Sequence, residues 1–487
     1  LKKVLKKAMA DQTGAIKMVN KIITVSLAAM LFAGCSMIPA YERPAAPVAS
    51  TWPEGAAYAE GAGNGSVNVS SIAWKDFFRS AELQEIIQKA LENNRDLRVA
   101  ALNIEATRAA YRIQRADLFP SVDGSASFTR QGVPENASTT GEAYTSNTVS
   151  AGVGITSYEL DLFGRVRSLN QKALESFLAT EEARTSAQIS LIAEVANTYI
   201  TYLSDSELLK LAEQTLANRQ ETYDLVKRSY EFGNATLLDL EQSATAVENA
   251  RISKVQYTRL VAQDKNALTM LVGTSLDGGL MNTEMTADIT SLKELPAGVP
   301  SETLLNRPDI RQAEHTLKAA NADIGAARAA FFPSITLTGS AGLASDSLGD
   351  LFTSGSALAW AFTPRINIPI FNAGRNKATL EVAEVSQKIA AAEYEKSIQT
   401  AFREVADQLA AKGTYTEQLN AQNALVEANR KVYDLSLQRY KYGVSSYIEV
   451  LDAQRSLFNA ELGLVSVKQQ SQSNLVTLYK VLGGGQI

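Results

Sequence analysis

The chain has 487 residues, 45% of them apolar and 20% charged, which is enough for a sizeable core and rules out an intrinsically disordered polymer. One cysteine and one histidine exclude a disulfide framework, a Cys/His zinc site and most histidine-centred catalysis, so an enzyme is disfavoured. The formal charge of −5 conceals six lysines against one aspartate in residues 1–34, leaving the rest at about −10 with no electrostatic reason to bind nucleic acid.

Lys21 is followed by the apolar run Ile22 to Phe32, then Ala33, Gly34 and the single cysteine, Cys35. This is the layout of a secretory signal, too short to span a bilayer as a mature helix. Met18 is the expected start, so residues 1–34 read as upstream residues plus signal peptide, and 35–80 as a proline-punctuated linker.

The body is a tandem duplication. At an offset of 213, Asp96–Ser121 aligns with Asp309–Ser334, with ten of 26 positions identical. Downstream the offset becomes 210, through Gly164/Gly374, Tyr230/Tyr440 and Gly233/Gly443, so a loop of variable length lies between. Repeat one covers 81–275 and repeat two 302–487, joined by a connecting segment over 276–301. Each repeat is predicted to run helix, hairpin, long helix, turn, helix. No Gly or Pro interrupts the 68 residues from Arg165 to Phe232, and only a helix suits such a stretch. Its apolar seam through Ile189, Ile192, Ala196, Tyr199 and Leu203 predicts packing along its length, and at 1.5 Å per residue it makes a rod of roughly 100 Å. The expected helices are 165–232 and 237–272 in repeat one, and 375–442 and 446–482 in repeat two. Gly233 and Gly443 are placed to reverse the chain as left-handed caps. Gly413 and Gly463 are expected to bend or break the second set, and Gly483–Gly485 reads as a flexible terminal stop.

Hairpins are predicted over about 121–160 and 334–370. In the second, Leu358, Trp360, Phe362, Ile366 and Ile368 alternate with small or polar residues, giving one greasy face with period two. Runs of about ten residues suit either a tilted membrane strand or a soluble hairpin packed on the helices; the signal segment and the Trp/Phe band favour the membrane. Four strands cannot close a barrel, since about eight is the smallest number seen, so membrane-spanning strands require several chains to share one.

Tyr158-Glu-Leu-Asp-Leu-Phe-Gly-Arg165, Ala326-Ala-Arg-Ala-Ala-Phe-Phe-Pro-Ser334, Pro369-Ile-Phe-Asn-Ala-Gly-Arg375 and Val450-Leu-Asp-Ala-Gln-Arg-Ser-Leu-Phe458 resemble the TolC-like outer-membrane efflux family. Glu92-Asn-Asn-Arg-Asp-Leu-Arg and Leu478-Tyr-Lys-Val-Leu-Gly-Gly-Gly485 are similar to its OprM-type lipoprotein members. The resemblance implies a membrane α+β fold: a homotrimer whose twelve strands, four per chain, make one transmembrane β-barrel, continued by a periplasmic α-helical barrel with a mixed equatorial domain. It implies passive conduction of drugs and small toxic compounds, through a periplasmic membrane-fusion adaptor, from an inner-membrane pump of the resistance-nodulation-division class. No cofactor is expected beyond a covalent lipid. Ala33-Gly34-Cys35 resembles a lipobox with Phe32 in place of the preferred Leu, so Cys35 would carry that lipid and Ser36 would direct the chain to the outer membrane. Protein secretion and metal-ion export by the same channel, or a membrane-anchored scaffold without a pore, are the alternatives.

By the same resemblance Ile448, Asp452 and Arg455 narrow the periplasmic end of the tunnel. Glu449 adds a carboxylate on the same helical face. Threefold symmetry would turn each into a ring, acidic rings favouring cations and an apolar ring blocking by dewetting. Solvated first-turn acids favoured by the helix dipole are the plainer reading of Glu449 and Asp452. Tyr440 matches an aromatic that contributes to closure, Asp239 is its acidic counterpart in repeat one, and the tips at Gly233 and Gly443 would meet the adaptor. Ser445 stands where the family has a gate-locking Arg, so an Arg455–Asp452 pairing is a candidate substitute. His315 has no second His or Cys to share a metal and reads as structural or surface-facing.

Overall fold

The computed structural model describes residues 36–58, 69–276, 289–290, 304–351 and 358–485. The signal segment, Cys35 and most of the connecting segment 276–301 lie outside the described residues. After a single helical turn at Trp74–Phe77 come α1 (Ala81–Asn93), α2 (Arg95–Ala116), β1 (Val122–Val133), β2 (Tyr144–Leu160), α3 (Arg165–Glu231) and α4 (Leu237–Val272). The second repeat supplies α5 (Pro308–Ala329), β3 (Ser334–Ser345), β4 (Leu358–Asn367), α6 (Arg375–Lys441) and α7 (Tyr447–Val481). None of the described helices is long and apolar enough to cross a membrane. The chain divides into two compact units, one drawn from 1–44, 105–179 and 314–392, the other from 45–104, 180–313 and 393–487.

The first unit holds a four-stranded antiparallel sheet in the order β1-β2-β3-β4. Register carries the greasy face across all four strands. Ala126 sits opposite Ala151, Ala151 opposite Leu343 and Leu343 opposite Leu358; one rung along, Val153 faces Ala341 and Ala341 faces Trp360. The opposite face, through Ser125, Ser127, Ser150, Thr338 and Thr363, is small or polar. A Cβ added at Gly152 would come 2.7 Å from the Ala341 carbonyl oxygen, so this central rung admits only glycine. Every residue of β4 is exposed within the chain, Trp360 and Phe362 included. Among the described residues, nothing covers the apolar face of β4 and neither edge strand has a further strand partner.

The junction from β2 to α3 explains the first family-like motif. Glu159 accepts from Arg165 Nε at 2.9 Å, and Asp161 accepts from the backbone N–H groups of Val166 (3.2 Å) and Arg167 (2.9 Å), satisfying orphan donors at the start of α3. Gly164 turns there at φ 77°, and Phe163 stacks on Phe332 at 4.7 Å. An extended strap over 36–44 lies on α5. Asn321 donates to the Pro39 carbonyl (2.9 Å), and Arg43 grips Glu314 through Nη2 at 2.9 and 2.8 Å. His315 Nδ1 lies 2.7 Å from Glu175 Oε2, a structural contact between α5 and α3.

In the second unit Tyr479 stacks flat on Phe77 at 3.9 Å and donates its hydroxyl to the Ile72 carbonyl at 2.6 Å. The tail over Gly483–Gly485 packs here. It is buried, a Cβ at Gly484 would run into the Tyr479 ring, and Gln188 donates to the Gly485 carbonyl at 3.4 Å, so the expected flexible stop is corrected to a packed end. The breaks expected at Gly413 and Gly463 are also absent: α6 and α7 run through them. Gly463 instead admits Gln422, whose Nε2 would lie 2.6 Å from an added Cβ, so its missing side chain serves helix approach.

Candidate functional site: the helix-turn tips

Both long helices end in the same way. Gly233 (φ 75°) and Gly443 (φ 69°) are left-handed, and the next N–H groups reach back: Asn234 to the Ser229 carbonyl and Val444 to the Arg439 carbonyl, each at 2.8 Å. These are the paired bonds of a Schellman stop, which only a residue without Cβ adopts cheaply. Around the two turns Phe232, Leu237, Leu238, Tyr442 and Val444 are exposed, an apolar display that the sequence reading left out although it flanks both glycines.

The returning helices start differently. In repeat one Thr236 accepts from the Asp239 N–H (3.1 Å) and the Asp239 carboxylate accepts from the Thr236 N–H (2.9 Å), a closed capping box. Asp239 thus has a structural task in addition to any part in closure. In repeat two Ser446 and Glu449 have the same spacing, yet Ser446 makes no side-chain cap, and Glu449 is exposed. Ile448, Glu449, Asp452 and Arg455 form one exposed stripe on α7, with Tyr447, Val450, Leu451 and Gln454 buried on the other side. Asp452 and Arg455 are exposed three residues apart on this face, and no ion pair between them is formed in the chain.

Behind the stripe lies an apolar cluster of Val226, Ala246, Tyr447, Val450 and Leu451, with Tyr433, Leu437 and Tyr440 packed on it. Tyr440 meets Tyr447 edge-on at 5.8 Å. Burial, followed by the Asp239 carboxylate, pushes the Tyr440 hydroxyl above its ordinary range, and burial takes Tyr447 up to about 12, so both are neutral hydrogen-bonding groups near pH 7. Further from the tip Arg219 of α3 is 8% exposed. It donates to the Ala246 carbonyl at 3.0 Å and lies over the Phe458 ring at 5.6 Å.

A second feature escaped the sequence reading. Asp205 of α3 and Asp264 of α4 face one another, and Asp264 Oδ2 is buried with no donor. Burial first, then the neighbouring carboxylate, raises Asp264 to about 6, and burial raises Asp205, so the pair holds a proton to higher pH than an ordinary carboxylate does. The two residues are 59 positions apart, and only helix pairing joins them.

The sequence model of the family described as "Outer membrane efflux protein" matches this chain twice, over 86–274 and 299–484, once per repeat. The chain belongs to the outer membrane efflux protein family. Relatives of this outer membrane efflux protein include the probable efflux pump outer membrane protein TtgC of Pseudomonas putida, 51% identical over 96% of both chains. Outer membrane protein OprJ of Pseudomonas aeruginosa is 42% identical over 95% of both. Among solved structures, a membrane protein from Pseudomonas aeruginosa superposes with TM-score 0.87 at 42% identity, covering 93% of this chain and 98% of that one. The open-state MtrE outer membrane channel of Neisseria gonorrhoeae gives 0.83 at 39%, covering 93% and 99%. The efflux protein is thus an outer-membrane channel component of the TolC-like fold, and its family is one of channels rather than enzymes.

Proposed function

We propose that three copies close a twelve-stranded barrel in the outer membrane and that their helices continue it as a periplasmic tunnel, forming the exit duct of a tripartite pump. The open sheet carries this reading: an unpaired edge strand in lipid leaves backbone groups costing several kcal/mol each, a penalty removed when β1 of one copy pairs with β4 of the next. Exposed heptad-spaced residues on α6, Val382, Val385 and Ile389, then Leu425, Val432 and Leu435, supply a seam for the same neighbour. The partners are a periplasmic adaptor at the Gly233 and Gly443 tips and an inner-membrane pump of the resistance-nodulation-division class that provides the energy. The cargo is drugs and small toxic compounds, as the names of relatives described as antibiotic, toluene and solvent efflux proteins suggest. Ile448, Glu449, Asp452 and Arg455, with Tyr440 and Asp239 behind them, form the periplasmic constriction, and a lipid on Cys35 anchors the mature N-terminus.

The test is accumulation of a fluorescent efflux substrate in energised cells that keep adaptor and pump. Loss of the chain is expected to raise dye and re-expression to lower it; unchanged dye in a strain with no redundant channel would reject the efflux role. Cys35→Ser is expected to remove the lipid mass from the mature N-terminal peptide, and an identical peptide mass in the variant and the unaltered protein, apart from the side-chain change, would reject lipidation.

A further inference from the structure

Among the described residues, the seam between the pair α3/α4 and the pair α6/α7 buries two side chains with unsatisfied polar atoms, Arg219 and Gln454, behind the tips. Arg219 is 8% exposed, has no carboxylate partner, and its Nε has no acceptor. Its one hydrogen-bond acceptor is the Ala246 carbonyl of α4, and the Phe458 ring of α7 covers one face. Arg455 adds a like charge nearby. One turn nearer the tip on α7, opposite Thr222, Gln454 is equally buried. Its Nε2 reaches Thr222 Oγ1 at 3.4 Å and Tyr433 Oη at 3.5 Å, both at the limit of a hydrogen bond, and its Oε1 has no donor. Position 454 is four residues before Phe458, and position 222 is three after Arg219, so Gln454 stands across the seam one helical turn nearer the tip than the guanidinium, where a carboxylate would place an opposite charge near it.

A buried ion left unpaired is costly, and the cost disappears when water returns to it. We propose that Arg219 and Gln454 make this seam deliberately weak, so that the two helix pairs part beside the tips with Arg219 becoming hydrated as they do. The flanking apolar cluster of Val226, Tyr447, Val450 and Leu451 shuts the seam, and the starved polar pair limits how firmly it stays shut. Gln454 is isosteric with Glu, so the missing negative charge is a matter of composition and not of room. This inference rests on the reading of the tips as the tunnel's constriction.

The experiment is amide hydrogen exchange on the full-length assembled protein in lipid nanodiscs, followed over 219–226 and 447–458, beside opening frequency in planar bilayers. Arg219→Met removes the buried charge and Gln454→Glu supplies its partner, and each is expected to slow exchange in both segments by about tenfold or more. In Arg219→Met/Gln454→Glu the carboxylate is buried alone, and exchange is expected to be faster than in either single variant. Exchange in both single variants as fast as in the unaltered protein overturns the proposal. If the constriction reading holds, openings become rarer in step with the slower exchange; slowed exchange with unchanged openings retains the weak seam and rejects the tips as the constriction.

Discussion

Arg307 ties three elements of the second unit together, and replacing it by Met tests how the repeat closes. Its side chain is 9% exposed. Nη2 meets Asp309 Oδ2 at 2.7 Å and Glu404 Oε2 at 2.8 Å, Nε meets Asp309 Oδ1 at 3.0 Å, and Nη1 donates to the Val481 carbonyl at 2.9 Å. Met keeps most of the apolar stem and removes every donor. The two carboxylates are 40% and 37% exposed, so they are rehydrated and their loss is worth only about 1 kcal/mol. The Val481 carbonyl belongs to a buried residue at the end of α7, and stranding it costs about 2 kcal/mol. The expected loss is thus about 3 kcal/mol, borne locally by the last turn of α7. By exchange of the amides over 478–482 in the assembled protein this is an acceleration of roughly a hundredfold. Lys offers one point charge and cannot span Asp309, Glu404 and Val481 together, so Arg307→Lys is expected to recover less than half of the protection. Acceleration below about threefold in the Met variant, or full protection with Lys, would refute the assignment of Arg307 as the clamp.

Three further outcomes are expected. Asp452→Ala, which removes an exposed carboxylate from the α7 stripe, should lower cation selectivity in a planar bilayer, read as a shift of reversal potential under a salt gradient; an unchanged reversal potential removes the acidic-ring argument. Gly152→Val, which sets side-chain atoms against the Ala341 backbone, should abolish the heat-resistant oligomer on gels, whereas Ser150→Val, on the same face without that approach, should retain it. The Asp205–Asp264 pair titrates above the usual carboxylate range, so its stabilising effect is complete below about pH 4 and is lost as pH rises through about 6. Exchange over 201–208 and 260–267 should therefore quicken more between pH 5 and 7.5, after correction for intrinsic rates, than in Asp264→Asn, where the amide stands in for the protonated acid; equal pH dependence in both proteins would refute the raised titration of the pair.

The identity of the fold was written in features that act locally. A 67-residue helix such as Arg165–Glu231 follows from an absence of Gly and Pro, because nothing in the stretch competes with the helix for the backbone. Gly233 and Gly443 announce the reversals because a left-handed residue is cheap only without a Cβ. The period-two face from Leu358 to Ile368 and the duplicated offset were legible for the same reason: each is a repeat along one dimension. Ile448, Asp452 and Arg455 of the α7 stripe were picked out by the family resemblance, and helical spacing added only Glu449 on the same face.

Glycines within helices were misread. Gly413 and Gly463 carry a propensity cost that packing outweighs, and at Gly463 the approach of Gln422 gives the position its use. Gly483–Gly485 looked free because a terminal glycine run has no partner in sequence; the Tyr479 ring and Gln188 provide one in space. The sequence by itself determined which segments are helix or strand and where the chain turns, since backbone conformation depends on neighbours a few residues away. Only the tertiary structure decided which charges are buried and what they face. Asp205 met Asp264, and Arg219 was sealed beneath Phe458 without a carboxylate, because desolvation is a property of the packed pair and not of either helix alone.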